Sequence, residues 1–211
     1  MKFNIFKFLE LNLYNYILLL KKSINGLIIK IKKTKLKKIL YFLKNNEFCS
    51  FKMLLDIYAI DFLQKEKRFA LNYLLRSLKY NYFVTLQFFT NENSNVSSIT
   101  ILYKNANWIE REIWDMNGIF FDSHPDLRRI LTDYGFEGFP LRKDFPISGF
   151  KEIRYDDSQK RIISEQIELA QEFRLFNFES PWKKNIYNLM DKVSSFELEN
   201  KGSIPFKCMP I

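Results

Sequence analysis

The chain has 211 residues, 47% of them hydrophobic, and a net charge of +9. That length and apolar content allow one sizeable core with extensions and exclude global disorder. Two cysteines and a single histidine exclude a disulfide scaffold and a His- or Cys-rich metal site, and no uncharged apolar run reaches the roughly 18 residues of a membrane-spanning helix.

The charge is uneven. Residues 1–67 hold 14 lysines against 5 acids, whereas residues 68–211 hold 19 basic and 19 acidic side chains. A basic front seeks an acidic protein, anionic lipid or nucleic acid, while the balanced remainder argues against a nucleic-acid footprint along the whole chain. No arginine precedes Arg68, and Lys, Asn, Phe and Ile are heavily used, the bias of an AT-rich gene of the organellar kind. Cys49 and Cys208, far apart and outside any CxxC, fit a reducing compartment.

Residues 3–20 read as a partly buried or partner-bound helix inside an N-terminal helical extension, 1–25. Gly26–Ile31 reads as a strand. Thr34 is a plausible N-cap for a helix whose Leu36, Ile39, Leu40 and Leu43 recur at helical spacing, with Lys35, Lys37, Lys38 and Lys44 outward. Three strands follow in 52–61, 68–78 and 82–89. Met53, Leu55, Ile57 and Ala59 alternate onto one face of the first, and short polar connections make an antiparallel meander. Asp56 and Asp61 are expected to point outward. With helices on one face, residues 26–131 form a two-layer α+β core domain with a mainly antiparallel sheet.

A helix from about Asn107 ends at Gly118. Trp108, Arg111, Glu112 and Asp115 fall at i, i+3, i+4 and i+7 on one face of it, beside an apolar stripe of Ile109, Ile113 and Met116. Pro125 suits the first position of a second short helix through Leu131. From Thr132 to about Gln159 no period is sustained, and Gly135, Gly138, Gly149, Pro140 and Pro146 interrupt regular structure. Yet Phe136, Phe139, Leu141, Phe145, Phe150 and Tyr155 are too apolar for a free linker. Residues 132–184 therefore read as an extended arm held on a partner protein, with Trp182 a further aromatic anchor and 185–211 a tail.

Chemistry is sparse. His124 stands alone, no Ser sits in a nucleophile elbow, and neither GxGxxG nor GxxxxGK[ST] occurs. Arg128–Arg129 and Arg142–Lys143 could hold a phosphate or carboxylate, but Asp126 and Asp144 beside them favour ion pairs within the chain or across an interface. The residues alone point to a non-catalytic assembly subunit. A ribosomal or other RNA-binding protein using the basic front is the alternative, and a small hydrolase using His124 with a carboxylate is a third reading.

The block ANWIEREIWDMNGIFFDSHPDLRRILTDYGFEGFPLRKDFPISGFKEIRYDD, with LLDIYAIDF upstream and RIISEQIELAQEFRLFNFESPW downstream, resembles NADH dehydrogenase subunit 9. That family is the 30 kDa-type core subunit of respiratory complex I, and the similarity spans about Lys52–Trp182. The resemblance implies an α+β domain in the peripheral arm of the mitochondrial complex, on the matrix side of the inner membrane. Its extended arm would wrap the large quinone-site subunit. It implies no catalytic, cofactor-binding or metal residue in this chain; NADH, FMN, iron–sulfur clusters and ubiquinone belong to partner subunits. No nucleic acid is expected, and the membrane is reached only through the complex. Glu110, Arg111, Asp115, His124, Pro125, Asp126, Arg128, Arg129, Arg142, Lys143 and Asp144 match family motif positions and would serve folding and docking; Trp108, Tyr155 and Trp182 join them as candidate interface residues. Asn117 stands where the family usually has Phe, and Phe139 where it usually has His. Arg111→Ala and Arg142→Ala are expected to impair assembly more than they unfold the free chain.

Overall fold

In the computed structural model the described residues are 5–23 and 26–171, with residues 173, 174 and 176. The chain divides into two compact units, Met1–Ile167 and Glu168–Ile211, and the fold below is that of the first. Trp182 and the tail expected over 185–211 lie outside the described residues.

Helix α1, Ile5–Leu13, buries Ile5, Leu9 and Leu13 at four-residue spacing. The helix expected to run on to residue 20 stops there, and Ile17–Ser23 forms strand β1. Ile17–Leu20 is a short unbroken apolar run, which helix and strand accommodate equally until a neighbour decides. Here the neighbour is β2, Gly26–Ile31, which pairs with β1 antiparallel. A 3-10 turn, Lys33–Lys35, leads into α2, Leu36–Asn45, whose Leu36, Ile39, Leu40 and Leu43 are all buried while Lys37 and Lys38 face water. Strands β3, Met53–Asp61, β4, Phe69–Ser77, and β5, Tyr82–Thr90, form the meander.

The sheet order is β1-β2-β5-β4-β3, and the single parallel pairing joins β2 to β5. Two short parallel strands, β6 (Val96–Ser97) and β7 (Phe121–Asp122), flank α3, Ala106–Asn117. The expected α+β architecture, a mainly antiparallel sheet with helices on one face, is the one observed. One core holds it: Leu9 of α1, Leu40 and Leu43 of α2 and Ile113 of α3 meet Ile29, Leu71, Tyr73, Val84, Leu86 and Phe88. Full burial of one such side chain is worth about 1.5–3 kcal/mol.

Strand β3 departs from simple alternation. A register shift between Leu54 and Asp56 brings Leu54 and Ile57 into the core instead of Met53 and Leu55, and leaves Met53 exposed. A bulge adds one residue and so flips every side chain that precedes it. The same frame turns Asp61 inward at 4% exposure, against the outward position expected.

Past α3 two further expectations change. No helix forms over 125–131, and the region expected to lack regular structure contains a hairpin, β8 (Lys151–Asp156) with β9 (Arg161–Gln166).

Candidate docking site: two buried carboxylate clamps

Helix α3 ends where Gly118 adopts a left-handed φ of 77° and returns its N–H to the Trp114 carbonyl at 2.9 Å. A Cβ at Gly118 would sit 2.3 Å from an Arg142 nitrogen and 2.8 Å from the Phe139 ring. Only glycine permits both this exit and the close packing of the returning chain.

That returning chain is fixed by Asp115. Its Oδ2 accepts the N–H groups of Ile130, Leu131 and Thr132 at 3.1, 2.8 and 2.9 Å. Its Oδ1 accepts the Thr132 hydroxyl at 2.5 Å and Arg129 Nη1 at 2.8 Å. From one turn earlier, Arg111 donates to the carbonyls of Arg128 and Arg129 at 3.1 and 3.3 Å. The Ile130 and Leu131 N–H groups, which a 125–131 helix would pair with the Asp126 and Leu127 carbonyls, are taken by Asp115 instead, and no helix forms there. Burial raises the Asp115 pKa, but the Thr132 hydroxyl and the three N–H groups outweigh it and bring it down to about 2.

Arg129 closes the clamp. Besides Asp115 it donates to the Gly138 carbonyl at 3.1 Å, and its guanidinium lies over Trp114, Phe136 and Phe139 at 5.4–5.7 Å. Arg142 also stacks on Phe139, 4.3 Å from the ring centre. Phe139 thus contacts two guanidiniums of its own chain.

A second clamp forms at the end of β3. Asp61 accepts Arg68 Nε and Nη2 at 2.8 and 2.9 Å, and the Lys143 N–H at 2.9 Å. Arg68 also reaches Asp144 at 2.8 Å and Glu92 at 3.5 Å. The Arg68 hydrogen bonds hold the carboxyls of both Asp61 and Asp144 below the usual range and push the guanidinium pKa up. Arg142 donates to the Asn117 carbonyl at 2.7 Å and pairs with Glu92, while the Leu141 N–H reaches the Met116 carbonyl at 3.0 Å. Residues 129–145 are therefore bound to their own domain, against the expectation that the whole arm rests on a partner. Arg111 and Arg142, expected to act mainly across an interface, both bond within the chain.

Glu110, one turn from Asp115 on another face, is wholly buried. It accepts Ser98 Oγ at 2.6 Å and the Ile99 N–H at 2.8 Å, and burial raises its pKa above these opposing bonds. His124 Nδ1 accepts the Asp126 N–H at 3.2 Å, leaving Nε2 to donate to the Asn107 carbonyl at 3.1 Å. Ser98, Glu110 and His124 lie side by side, yet the His124 and Glu110 side chains have no exposure. The two side chains are thereby part of the packing between α3 and the start of the ribbon.

The remaining candidates scatter. Trp108 is 63% exposed, with Arg111 over its indole at 5.3 Å. The stripe it shares with Asp115 is open at one end and roofed at the other by residues 130–132. Pro125 is exposed, Asp126 pairs with Arg128 at the surface, and Lys143 contributes its backbone rather than its exposed ammonium. Tyr155 stands on the exposed hairpin. Asp61, Arg68 and Glu92 were absent from the sequence-derived set. Their signal was the first arginine of the chain, placed across a short turn from a strand-ending aspartate.

A family model described as the respiratory-chain NADH dehydrogenase, 30 Kd subunit, matches residues 29–151. The chain belongs to this family. NADH-ubiquinone oxidoreductase subunit 9 of Reclinomonas americana is 51% identical over 154 residues, covering 73% of this chain and 76% of that protein. The protein of the same name from Acanthamoeba castellanii is 54% identical over 146 residues, with 69% and 74% covered. NADH dehydrogenase [ubiquinone] iron-sulfur protein 3 of Beta trigyna is 52% identical over 146 residues, with 69% and 76% covered. A chain of an archaeal respiratory membrane complex, the membrane-bound sulfane sulfur reductase, shares the fold with a TM-score of 0.57 and 21% identity over 67% of this chain and 85% of that one.

The chain is accordingly a core subunit of complex I, the NADH:ubiquinone oxidoreductase, and its partners are other subunits of that complex. These eukaryotic relatives go with the mitochondrial form, and the RNA-binding alternative has no support among them. The plant name mentions iron and sulfur, but Cys49 is a core thiol whose pKa burial pushes up to about 12. Among the described residues no group of three or more His, Cys, Asp and Glu could hold a metal ion, so they do not offer the thiolate set that such a cluster takes.

Proposed function

We propose that this chain is a non-catalytic docking subunit on the matrix side of the mitochondrial inner membrane. Its β8–β9 hairpin and the residues that follow seat on the large quinone-site subunit, and electron carriers are held by neighbouring chains. The observation that carries this reading is the contrast between the arm's root and its hairpin. Residues 129–145 are locked by the Asp115 and Asp61 clamps, and the chain then presents Ile153, Tyr155 and Ile162 on one face at 60%, 59% and 71% exposure. The other face carries the Arg154–Glu165 pair at 2.8 Å. A lone two-stranded hairpin is marginal in water, and an apolar face on a rigid stalk is the form of a protein contact. The clamps then act as positioning groups that set where the hairpin points.

The test is Ile153→Asp with Ile162→Asp in the native host. The expected result is loss of the chain from complex I on native gels, with the melting temperature of the purified chain within about 2 °C of wild type. Normal incorporation of the variant would overturn the hairpin assignment.

A further inference from the structure

The helices all bury their apolar residues on one side of the sheet, and the other side is built from the alternate strand residues. Leu19, Ile28, Leu74, Phe83 and Phe89 stand there half-buried, with Tyr58 and Ile60 at 40% and 38% exposure; none belongs to the core cluster. Between them are Thr85 and the Gln87–Asn72 hydrogen bond. Such a two-dimensional apolar field is a docking surface only if something says what covers it. Here the charge does.

The cations of this face are Lys21, Lys30 and Arg76, with Lys65 over the Phe89 ring at 5.6 Å, and its acid is Asp56. At the lower end, where β2 runs into the 3-10 turn, the face opens into a cleft of about 440 Å³ lined by Lys30, Lys32, Lys33 and Lys67 with Phe89 and Ser94, and by no acidic residue. Lys33 is engaged by Ser94 and the Asn95 carbonyl. Lys30, Lys32, Lys67 and Arg76 have no acidic partner among the described residues. Lys30 instead rests over the Phe89 ring at 5.9 Å, and Arg76 over Phe83 at 5.1 Å. Arg76 Nε is also buried without a hydrogen-bond partner. Cations spread on aromatic rings without an internal acid are set to meet carboxylates. Elsewhere in the domain the arginines Arg68, Arg129 and Arg142 each have an internal acid.

We infer that this bare sheet face and its lysine cleft receive an acidic segment of a second partner subunit, one whose carboxylates alternate with apolar side chains. The surface is separate from the hairpin of the proposed function. It rests on that reading only for membership of the complex. Shape and apolar area would supply contact, and the lysines would set orientation and rate of encounter.

The experiment uses the full chain in its host as a tagged second copy beside wild type. A photoreactive amino acid at Thr85, at the centre of the face, should give an adduct within intact complex I whose peptide is rich in Asp and Glu. Lys30→Glu with Lys67→Glu should lower the tagged share of assembled complex about tenfold, while Lys30→Gln lowers it less. Reversal of the crosslinked acids to lysine should restore the double variant. An adduct to RNA, to lipid or to a second copy of this chain overturns the inference, as does unchanged incorporation of the double variant. Normal incorporation of the Ile153→Asp, Ile162→Asp variant with the Thr85 adduct intact overturns the hairpin seat of the proposed function and leaves this docking standing.

Discussion

The sheet with its helices and the ribbon from His124 to Phe145 are two kinds of folded chain in one domain. The first is held by apolar surface: Leu40, Leu71, Tyr73 and Leu86 have no exposure and lie on regular elements. The second has neither helix nor strand, and its order comes from side chains of α3 and of β3 that bond directly to its backbone. Apolar burial tolerates many sequences of the right period, whereas a carboxylate that serves three N–H groups tolerates almost none. The two regions should accordingly fail in different ways.

The sharpest contrast is Asp115→Ala against Leu40→Ala. Removing Asp115 leaves Arg129 and three N–H groups without their acceptor, a loss of about 3–5 kcal/mol. Hydrogen exchange at Ile130, Leu131 and Thr132 should then accelerate by more than about a hundredfold, with Leu71 and Leu86 unchanged. Leu40→Ala should lower the stability of the whole domain by about 2–5 kcal/mol, read as one cooperative shift in urea. If Asp115→Ala instead unfolds sheet and ribbon together, the two regions are one unit and the contrast fails.

A smaller effect separates the two buried carboxylates of α3 by pH. Asp115 has a depressed pKa, so its contribution is present above its unfolded value near 3.9 and is lost as pH falls through about 2. Glu110 is shifted the other way by burial. Its contribution is full below the unfolded value and declines as pH rises through the folded one. Glu110→Gln should therefore compare best with wild type at pH 7, and that advantage should shrink toward pH 4. The difference should be within about 1 kcal/mol by urea unfolding at each pH. The opposite trend would show that Glu110 is held as a carboxylate.

Lys143→Ala should have the least effect, within about 0.5 kcal/mol, because Asp61 takes the backbone N–H, which alanine retains. Lys143→Pro removes that N–H and should loosen the Asp61 clamp while leaving α2 and β5 untouched.

The same division explains what was legible in the sequence. Strands β3–β5, α2 and the Gly118 stop each carry a repeat or a breaker that acts within a few residues. Their positions followed from that. The ribbon's partners are remote: Asp115 is 15 to 17 residues from the amides it holds, and Asp61 is 82 from the Lys143 amide. No local rule couples such positions, so Pro125–Leu131 looked helical on its own terms. Strand β1 was misjudged because three consecutive leucines suit either element, and the β3 bulge because one extra residue leaves no mark in composition. Glu110, Asp115 and His124 were singled out by their motif, while their burial and their partners had to come from the fold.

The pairing of β2 with β5 sets an order of events during synthesis. The β1–β2 hairpin and α2 leave the ribosome before the meander, yet the strand that completes their sheet ends at Thr90. The lysine-rich front must wait, with one strand edge unsatisfied, until the last strand of the meander has followed it. Non-local pairing of this kind is slow, which makes the nascent N-terminal third, rather than the finished domain, the species most in need of a chaperone.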